Sequence, residues 1–311
     1  MAYERKPEWL KVRAPGGERY THIKSTLRKY GLYTVCEEAR CPNVGECWGE
    51  GTATIMILGD TCTRGCRFCA VTTGNPKGAY DPREPEHTGR TIAAMGLDYV
   101  VITMVDRDDL LDGGAAHVAE TLASIRRQSP QILIEALLGD FQGVLRDVTT
   151  VLEDGRPDVF AHNVETVDRL QRTVRDARCS MARSLSVLAH AKKVAPSVYT
   201  KSSIMVGMGE TLDEVRETMR ALRDVGVDIV TLGQYLRPTP KHHPVERFVT
   251  PEEFAELQAD GMAMGFRYVA SGPLVRSSYK AAEAFVRGMV RREPVSDGTF
   301  ETRRRLLPVV P

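Results

Sequence analysis

Two hydrophobic rhythms alternate along the chain after residue 50. Short runs rich in β-branched residues lie at 53–58, 98–105, 131–137, 158–162, 198–206, 228–232 and 267–270. Between them, at 84–95, 115–128, 143–153, 166–176, 181–194, 212–225 and 252–264, apolar residues recur at helical spacing. Strand, helix, strand is the signature of βα units and a parallel sheet. The punctuation agrees. Thr211 and Thr250 stand where N-caps belong, and Thr250 is followed by Pro251, Glu252 and Glu253, a favoured first turn. Gly226 and Gly265 stand where helices should stop. Six such units make an α/β fold, a partial (β/α)6 TIM-type barrel with N- and C-terminal extensions. An open dinucleotide-binding sheet is the structural alternative. Its glycine-rich fingerprint should follow the first strand, but Gly59-Asp60-Thr61-Cys62 stands there instead.

Both ends lie outside the repeat. Residues 1–50 hold Pro7, Pro15, Gly16, Gly17 and a first group of cysteines, and are expected to wrap on a barrel spanning 51–270. Residues 271–311 form a C-terminal extension whose end, with Arg303-Arg304-Arg305, reads as a solvated tail. With 311 residues, 42% of them hydrophobic, one large core can form. A net charge of +1 gives no reason to expect a nucleic-acid or anionic-membrane partner. The first eight residues lack the apolar core of a signal peptide. Apolar runs such as 99–105 fall far short of the roughly 20 residues of a membrane span. A cytoplasmic protein is expected, and with no heptad or apolar stripe, a monomer.

Cysteine placement is uneven: six of seven lie between positions 36 and 69, and Cys179 stands apart. In a chain with no leader, clustered thiols read as metal ligands rather than disulfides. Cys62, Cys66 and Cys69 are spaced C-x3-C-x2-C directly after the first strand, at the mouth where barrels place chemistry. Structural zinc would want a fourth local Cys or His, and a ferredoxin-type carrier a fourth cysteine in range. Three thiolates on a four-iron cluster leave one iron open to an exchangeable ligand. Cys36, Cys41 and Cys47 form a second group, C-x4-C-x5-C, with polar, proline-containing linkers that do not describe an apolar helix face. It is either another cluster short of one ligand or a zinc knuckle completed by a distant residue such as His22.

The C-x3-C-x2-C spacing, with Phe68 before the last cysteine, resembles the motif of the radical S-adenosylmethionine superfamily. The wider chain is similar to the lipoyl synthase family in particular, through Arg5 to Lys11, Val35 to Trp48, Gly51 to Thr54, Gly59 to Thr63, Asp106 to Gly114, His162 to Val167 and Arg276-Ser277-Ser278-Tyr279. The resemblance implies two [4Fe–4S] clusters and S-adenosylmethionine. It implies Cys62, Cys66 and Cys69 as ligands of the radical-generating cluster. Cys36, Cys41, Cys47 and a serine, Ser278 with Ser277 as the alternative, would hold an auxiliary cluster. Hard oxygen is a poorer partner than thiolate for such a site, which suits a cluster meant to come apart. The implied reaction inserts two sulfur atoms, drawn from the auxiliary cluster, at the sixth and eighth carbons of an octanoyl group carried on a lysine. Such carbons offer no acidic proton, so a carbon radical must begin the chemistry. The implied partners are octanoylated lipoyl carrier domains (the E2 subunits of 2-oxoacid dehydrogenases and the glycine cleavage H protein), an electron donor such as ferredoxin or flavodoxin, and an iron–sulfur carrier protein. A biotin-synthase-like or methylthiolating enzyme is the alternative within the superfamily.

Other residues carry two readings each. Phe68 would lie against adenine or pack its loop. Asn163 and Glu165 would hold ribose hydroxyls or cap a helix. Arg183 and Arg237 are candidates for carboxylate contacts. Lys201 is expected to face the barrel interior. Gly113-Gly114 would admit close approach of S-adenosylmethionine or only make a turn. Cys179 reads as an inert thiol.

Overall fold

Each β-branched run becomes a strand within two residues of its expected bounds, because such side chains pack well on a pleated surface. The computed structural model describes residues 6–10, 16–30, 33–34, 43–50 and 53–278. In chain order the strands are β1 (Tyr33–Thr34), β2 (Ala53–Ile57), β3 (Thr61–Cys62), β4 (Thr72–Thr73), β5 (Tyr99–Met104), β6 (Leu133–Leu137), β7 (Val159–Ala161), β8 (Tyr199–Val206), β9 (Ile229–Gln234) and β10 (Tyr268–Gly272). The main sheet has the order β1-β2-β5-β6-β7-β8-β9-β10. Every pairing from β2 to β10 is parallel, and β1 alone runs antiparallel, against β2. Among the described residues no pairing returns from β10 to close the ring. The fold is therefore a partial barrel of six βα units and a final strand.

The helices are α1 (Glu18–Tyr30), α2 (Val44–Glu50), α3 (Glu84–Met95), α4 (Ala115–Gln128), α5 (Leu145–Thr150), α6 (Gln171–Val174), α7 (Met181–Val194), α8 (Leu212–Asp224) and α9 (Pro251–Ala263). Thr211 and Thr250 each complete a capping box, with Glu214 and Glu253 reaching back to the cap; loss of such a cap costs about 1 kcal/mol. Two helical expectations need correction. The 143–153 stretch is α5 followed by a π-type turn over Val151–Gly155. The 166–176 stretch starts only at Asp168, as a 3-10 turn leading into α6. Residue 165 is still extended, paired in parallel with Ile204 of β8.

Strand β5 shows why the runs are apolar throughout. Val100 and Ile102 face α3 and α4, packing with Ile92, Val118 and Leu122. Tyr99 and Val101 face the barrel interior, with Leu133, Val159 and Ile229. Strands buried on both faces have no polar side to alternate with. The outer core also takes in Ile23 and Leu27 of α1 and Trp48 of α2, so the N-terminal segment packs into the barrel's core. No helix among the described residues is long and apolar enough to cross a membrane.

Candidate functional site

The C-terminal ends of the strands open on a cavity of about 520 Å³. Its wall includes Cys62, Cys66 and Cys69, Phe68, Asp106, His162, Asn163, Glu165, Arg175, Cys179, Gln234 and the segment from Val275 to Ser278. The volume lies in the range of small-ligand sites.

The cysteine loop leaves β2 and is pinned from beneath. Arg64, inside the C-x3-C spacing, is buried rather than solvated, and its guanidinium forks onto Asp108 at 2.9 and 2.8 Å. The same group donates to Asp140 at 2.6 Å and to the Cys179 sulfur at 3.4 Å. Thr63 donates through N and Oγ1 to the Asp106 carbonyl at 2.9 and 2.8 Å. Arg178 donates to the Thr63 carbonyl at 2.6 Å. On the far side, the Nε2 of His242 lies 2.9 Å from the Cys69 carbonyl, and His243 N donates to that of Arg67. A loop with so many fixed backbone groups presents its thiols without reorganising.

Burial raises all three thiols. Cys62 is pushed up to about 11, chiefly by burial, with Asp106 adding to it. Cys69 rises for the same reason. Cys66 rises because it donates a hydrogen bond to Cys179 and is itself buried; the same bond lowers Cys179 to about 7. Left alone, the loop thiols are neutral; a positively charged iron cluster would hold them as thiolates. Among the described residues no set of three His, Cys, Asp or Glu side chains closes on a single ion, as mononuclear zinc would require. Three sulfur donors beside a cavity therefore fit a cluster with one open iron.

Facing the loop, Asn163 donates to Glu165 at 3.1 Å, and burial raises the Glu165 carboxyl. Glu165 has φ +67°, and its backbone pairs with Ser203 and Met205 of β8. The helix-cap reading of this pair is thereby overturned, since the following turn is capped by Val167 and has no side-chain cap bond. Phe68 lines the cavity and packs against the core of the barrel's second half. Asp106 is pushed up to about 6 by burial, and a Cβ on Gly139 would stand 2.2 Å from its Oδ1. A larger residue there would force the Asp106 carboxylate to move.

Ser277 and Ser278 line the same cavity as the three loop cysteines. Asn43 Nδ2 donates to the Leu274 carbonyl at 2.6 Å, tying the stretch between Cys41 and Cys47 to the approach to those serines. Cys47 is buried on α2 among Trp48, Ile23 and Leu27, so contrary to expectation it does share an apolar helix face. Cys36 and Cys41 lie outside the described residues, as do Tyr279 and the Arg303-Arg304-Arg305 tail. His22 is exposed on α1.

Several expected contacts go elsewhere. Arg183 does not line the cavity; it donates to the Arg178 carbonyl and lies 3.8 Å from Asp140. Arg237 lines the cavity, but donates to the His242 and Pro240 carbonyls of its own loop. Gly113 and Gly114 make the left-handed turn into α4 beneath Phe141 and Leu58. Lys201 does face the interior, in a buried pair with Glu135 at 2.8 Å. Cys179, expected as an inert thiol, lies in the cavity wall, on the turn against which a loop cysteine rests. Sequence spacing held no signal for it, nor for the burial of Arg64.

The chain matches two family models, the radical SAM superfamily over residues 56–222 and the N-terminal domain of lipoyl synthase over residues 2–41. It is 62% identical to the lipoyl synthase of Sorangium cellulosum, covering 92% of this chain and 81% of that one. With the lipoyl synthase of Thermus thermophilus it shares 57% identity over 92% of this chain and 88% of the relative. The mitochondrial lipoyl synthase of Rattus norvegicus is 56% identical over 93% and 78%. Among solved structures, methylornithine synthase aligns with a TM-score of 0.52 at 15% identity, covering 84% of this chain and 79% of that one. The FeFe-hydrogenase maturase HydG of Carboxydothermus hydrogenoformans gives 0.54 at 14%, covering 80% and 64%. These two likenesses concern the fold.

Proposed function

The chain belongs to the lipoyl synthase family of radical S-adenosylmethionine enzymes, and on that premise we propose that the cavity at its strand ends brings a radical-generating cluster and a sacrificial sulfur donor to the same octanoyl chain. The enzyme inserts sulfur into octanoyl groups on lipoyl carrier domains, using S-adenosylmethionine and two [4Fe–4S] clusters. When bound, these groups supply a 5′-deoxyadenosyl radical for hydrogen abstraction and sulfide for capture of the carbon.

The protein's own work is to hold, orient and exclude. Cys62, Cys66 and Cys69 hold the first cluster, and Phe68, Asn163 and Glu165 hold S-adenosylmethionine. Glu165 accepts ribose hydroxyls, with Asn163 fixing its carboxylate. Cys36, Cys41, Cys47 and Ser278 hold the auxiliary cluster. One observation carries this reading: the serine segment and the three loop cysteines share a cavity wall. The Asn43–Leu274 bond supports bringing the early cysteines alongside. The carriers are E2 subunits and an H protein, the reductant a ferredoxin or flavodoxin, and an iron–sulfur carrier rebuilds the spent cluster. The compartment is the cytoplasm and the working form a monomer.

The test is iron and sulfide quantitation on anaerobically reconstituted protein, alongside mass analysis of an octanoylated lipoyl domain. About eight irons per chain are expected, as two four-iron clusters require. Ser278→Ala should fall to about four while Ser277→Ala keeps about eight. Equal loading of both variants would remove the serine assignment. A carrier that gains no sulfur would remove the substrate assignment.

A further inference from the structure

Cys179 plays no part in the reading above, yet it touches a proposed cluster ligand. We propose that Cys66 and Cys179 form a reversible disulfide whenever the cluster of the 62–69 loop is lost. The proposal rests on Cys66 being a ligand, since an iron-bound thiolate cannot pair.

The two cysteines are 113 positions apart in sequence (179 minus 66) but stand in the wall of the same cavity. The backbone places them together. Asp176 N donates to the Cys66 sulfur at 3.3 Å, and Cys179 N donates to the Asp176 carbonyl at 2.9 Å. Cys66 therefore rests on the turn that carries Cys179. That turn is fixed to the loop: Gly65 N donates to Asp176 Oδ2 at 2.8 Å, and Arg67 N to the Val174 carbonyl at 2.8 Å. Among the described residues the other two loop cysteines show no contact of this kind with a thiol outside the loop; the Cys62 sulfur accepts from Arg64 N at 3.4 Å.

Arg64 gives the pair its direction. Its guanidinium donates to the Cys179 sulfur at 3.4 Å while Asp108 and Asp140 hold it still. Cys66 is half-buried and Cys179 buried, so a small oxidant meets Cys66 first. A low-molecular-weight disulfide such as oxidised glutathione suffices. Cys66 gives up its proton as it attacks the oxidant, forming a mixed disulfide and releasing one thiol that carries that proton. Cys179 then attacks the Cys66 sulfur and releases the second thiol. Two electrons pass from the protein pair to the oxidant, and both protons leave on the released thiols. The product shields Cys66 from irreversible oxidation to sulfinic acid and is reopened by a dithiol.

The test starts from the reconstituted enzyme. Its iron is stripped with a chelator and the protein incubated with oxidised glutathione, alkylated with iodoacetamide and digested without reductant. Peptide mapping should find Cys66 mainly as the Cys66–Cys179 linked peptide. Dithiothreitol followed by iron and sulfide should restore the original loading. In Cys179→Ser and Cys179→Ala the linked peptide is lost, and Cys66 is recovered as a glutathione adduct. Before stripping, both variants should load as much iron as the parent. Lower loading would make Cys179 a ligand and overturn the proposal. So would finding Cys66 in the parent joined chiefly to Cys62, Cys69 or glutathione. The linked peptide is read independently of sulfur insertion, so the two readings fail separately.

Discussion

Gly233→Ala tests the placement of the serine segment without touching a ligand. Gly233 lies near the end of β9, paired with Met205 and Gly272. A Cβ built there stands 2.1 Å from the Val275 carbonyl oxygen and 3.0 Å from its carbon. An ordinary contact needs a little over 3 Å, so something must retreat by about 1 Å. The strand is held on both sides by parallel ladders, whereas Val275 is held by two local bonds, from its N to the Gly272 carbonyl at 3.1 Å and from Arg276 Nη1 to its own carbonyl at 2.7 Å. The segment carrying Ser277 and Ser278 is the part that gives. A displacement of about 1 Å at a reacting centre can lower a rate on the order of a hundredfold. The loop cysteines lie on a different strand end, so the radical half of the reaction should survive. Expected results are continued 5′-deoxyadenosine production, iron falling from about eight toward about four per chain, and sulfur insertion down by roughly two orders of magnitude. A thermal melt close to that of the parent would show that the barrel is intact. Full iron loading with undiminished sulfur insertion would refute the argument, because the segment would then not need its observed position.

Other predictions follow from single features. Lys201→Met leaves Glu135 buried without its cation, keeping only the Tyr99 hydroxyl at 2.6 Å, and should cost about 3–5 kcal/mol in urea unfolding; adding Glu135→Gln should restore much of it. His162 is lowered to about 4 by burial, with Arg175 and Arg64 acting the same way and Asp140 against them. The unfolded chain therefore takes up a proton that the native chain refuses, so the stability linked to His162 is whole above its ordinary value of 6.5 and is lost as pH falls toward about 4. The full swing is on the order of 3 kcal/mol. His162→Gln should flatten that part of the unfolding curve, and an unchanged slope would contradict it. Gly139→Ala drives a Cβ into Asp106 Oδ1 at 2.2 Å and should weaken binding of S-adenosylmethionine, measured by calorimetry, more than it lowers the melting temperature.

The sequence was most legible where local rules act alone. The bounds of α3, α4 and α7 follow from helical spacing, and the capping boxes at Thr211 and Thr250 are written in four consecutive residues each. The 166–176 stretch misled because Glu165 pairs with β8, a contact made 39 residues away (204 minus 165). A sheet bridge of that range leaves no trace in local spacing. The cysteine motif announced the loop, while Arg64, inside the same motif, looked like any polar loop residue. Its burial depends on Asp108 and Asp140, brought in by the ends of two other strands. The place of Cys179 was hidden for a related reason: only folding sets its turn against the cysteine loop.

Charge in the barrel interior is sorted by height, and this bears on how a radical can be kept there. At the strand starts, Lys201, Glu135 and Tyr99 neutralise one another among Val101, Leu133, Val159 and Ile229. All three side chains of that floor are buried, and its two charges are paired. At the strand ends charges line the cavity, with Arg175 and Arg64 set beside Asp106 and Glu165, and Asp140 buried behind Arg64. Arg175 is itself fixed by Gln171 at 3.1 Å and Ser184 at 2.9 Å. Fixed dipoles and paired ions cost no reorganisation during a reaction. A cavity whose charges are paired below and fixed above keeps its lining still during a reaction, and at its rim one glycine, Gly233, decides where the serine segment stands.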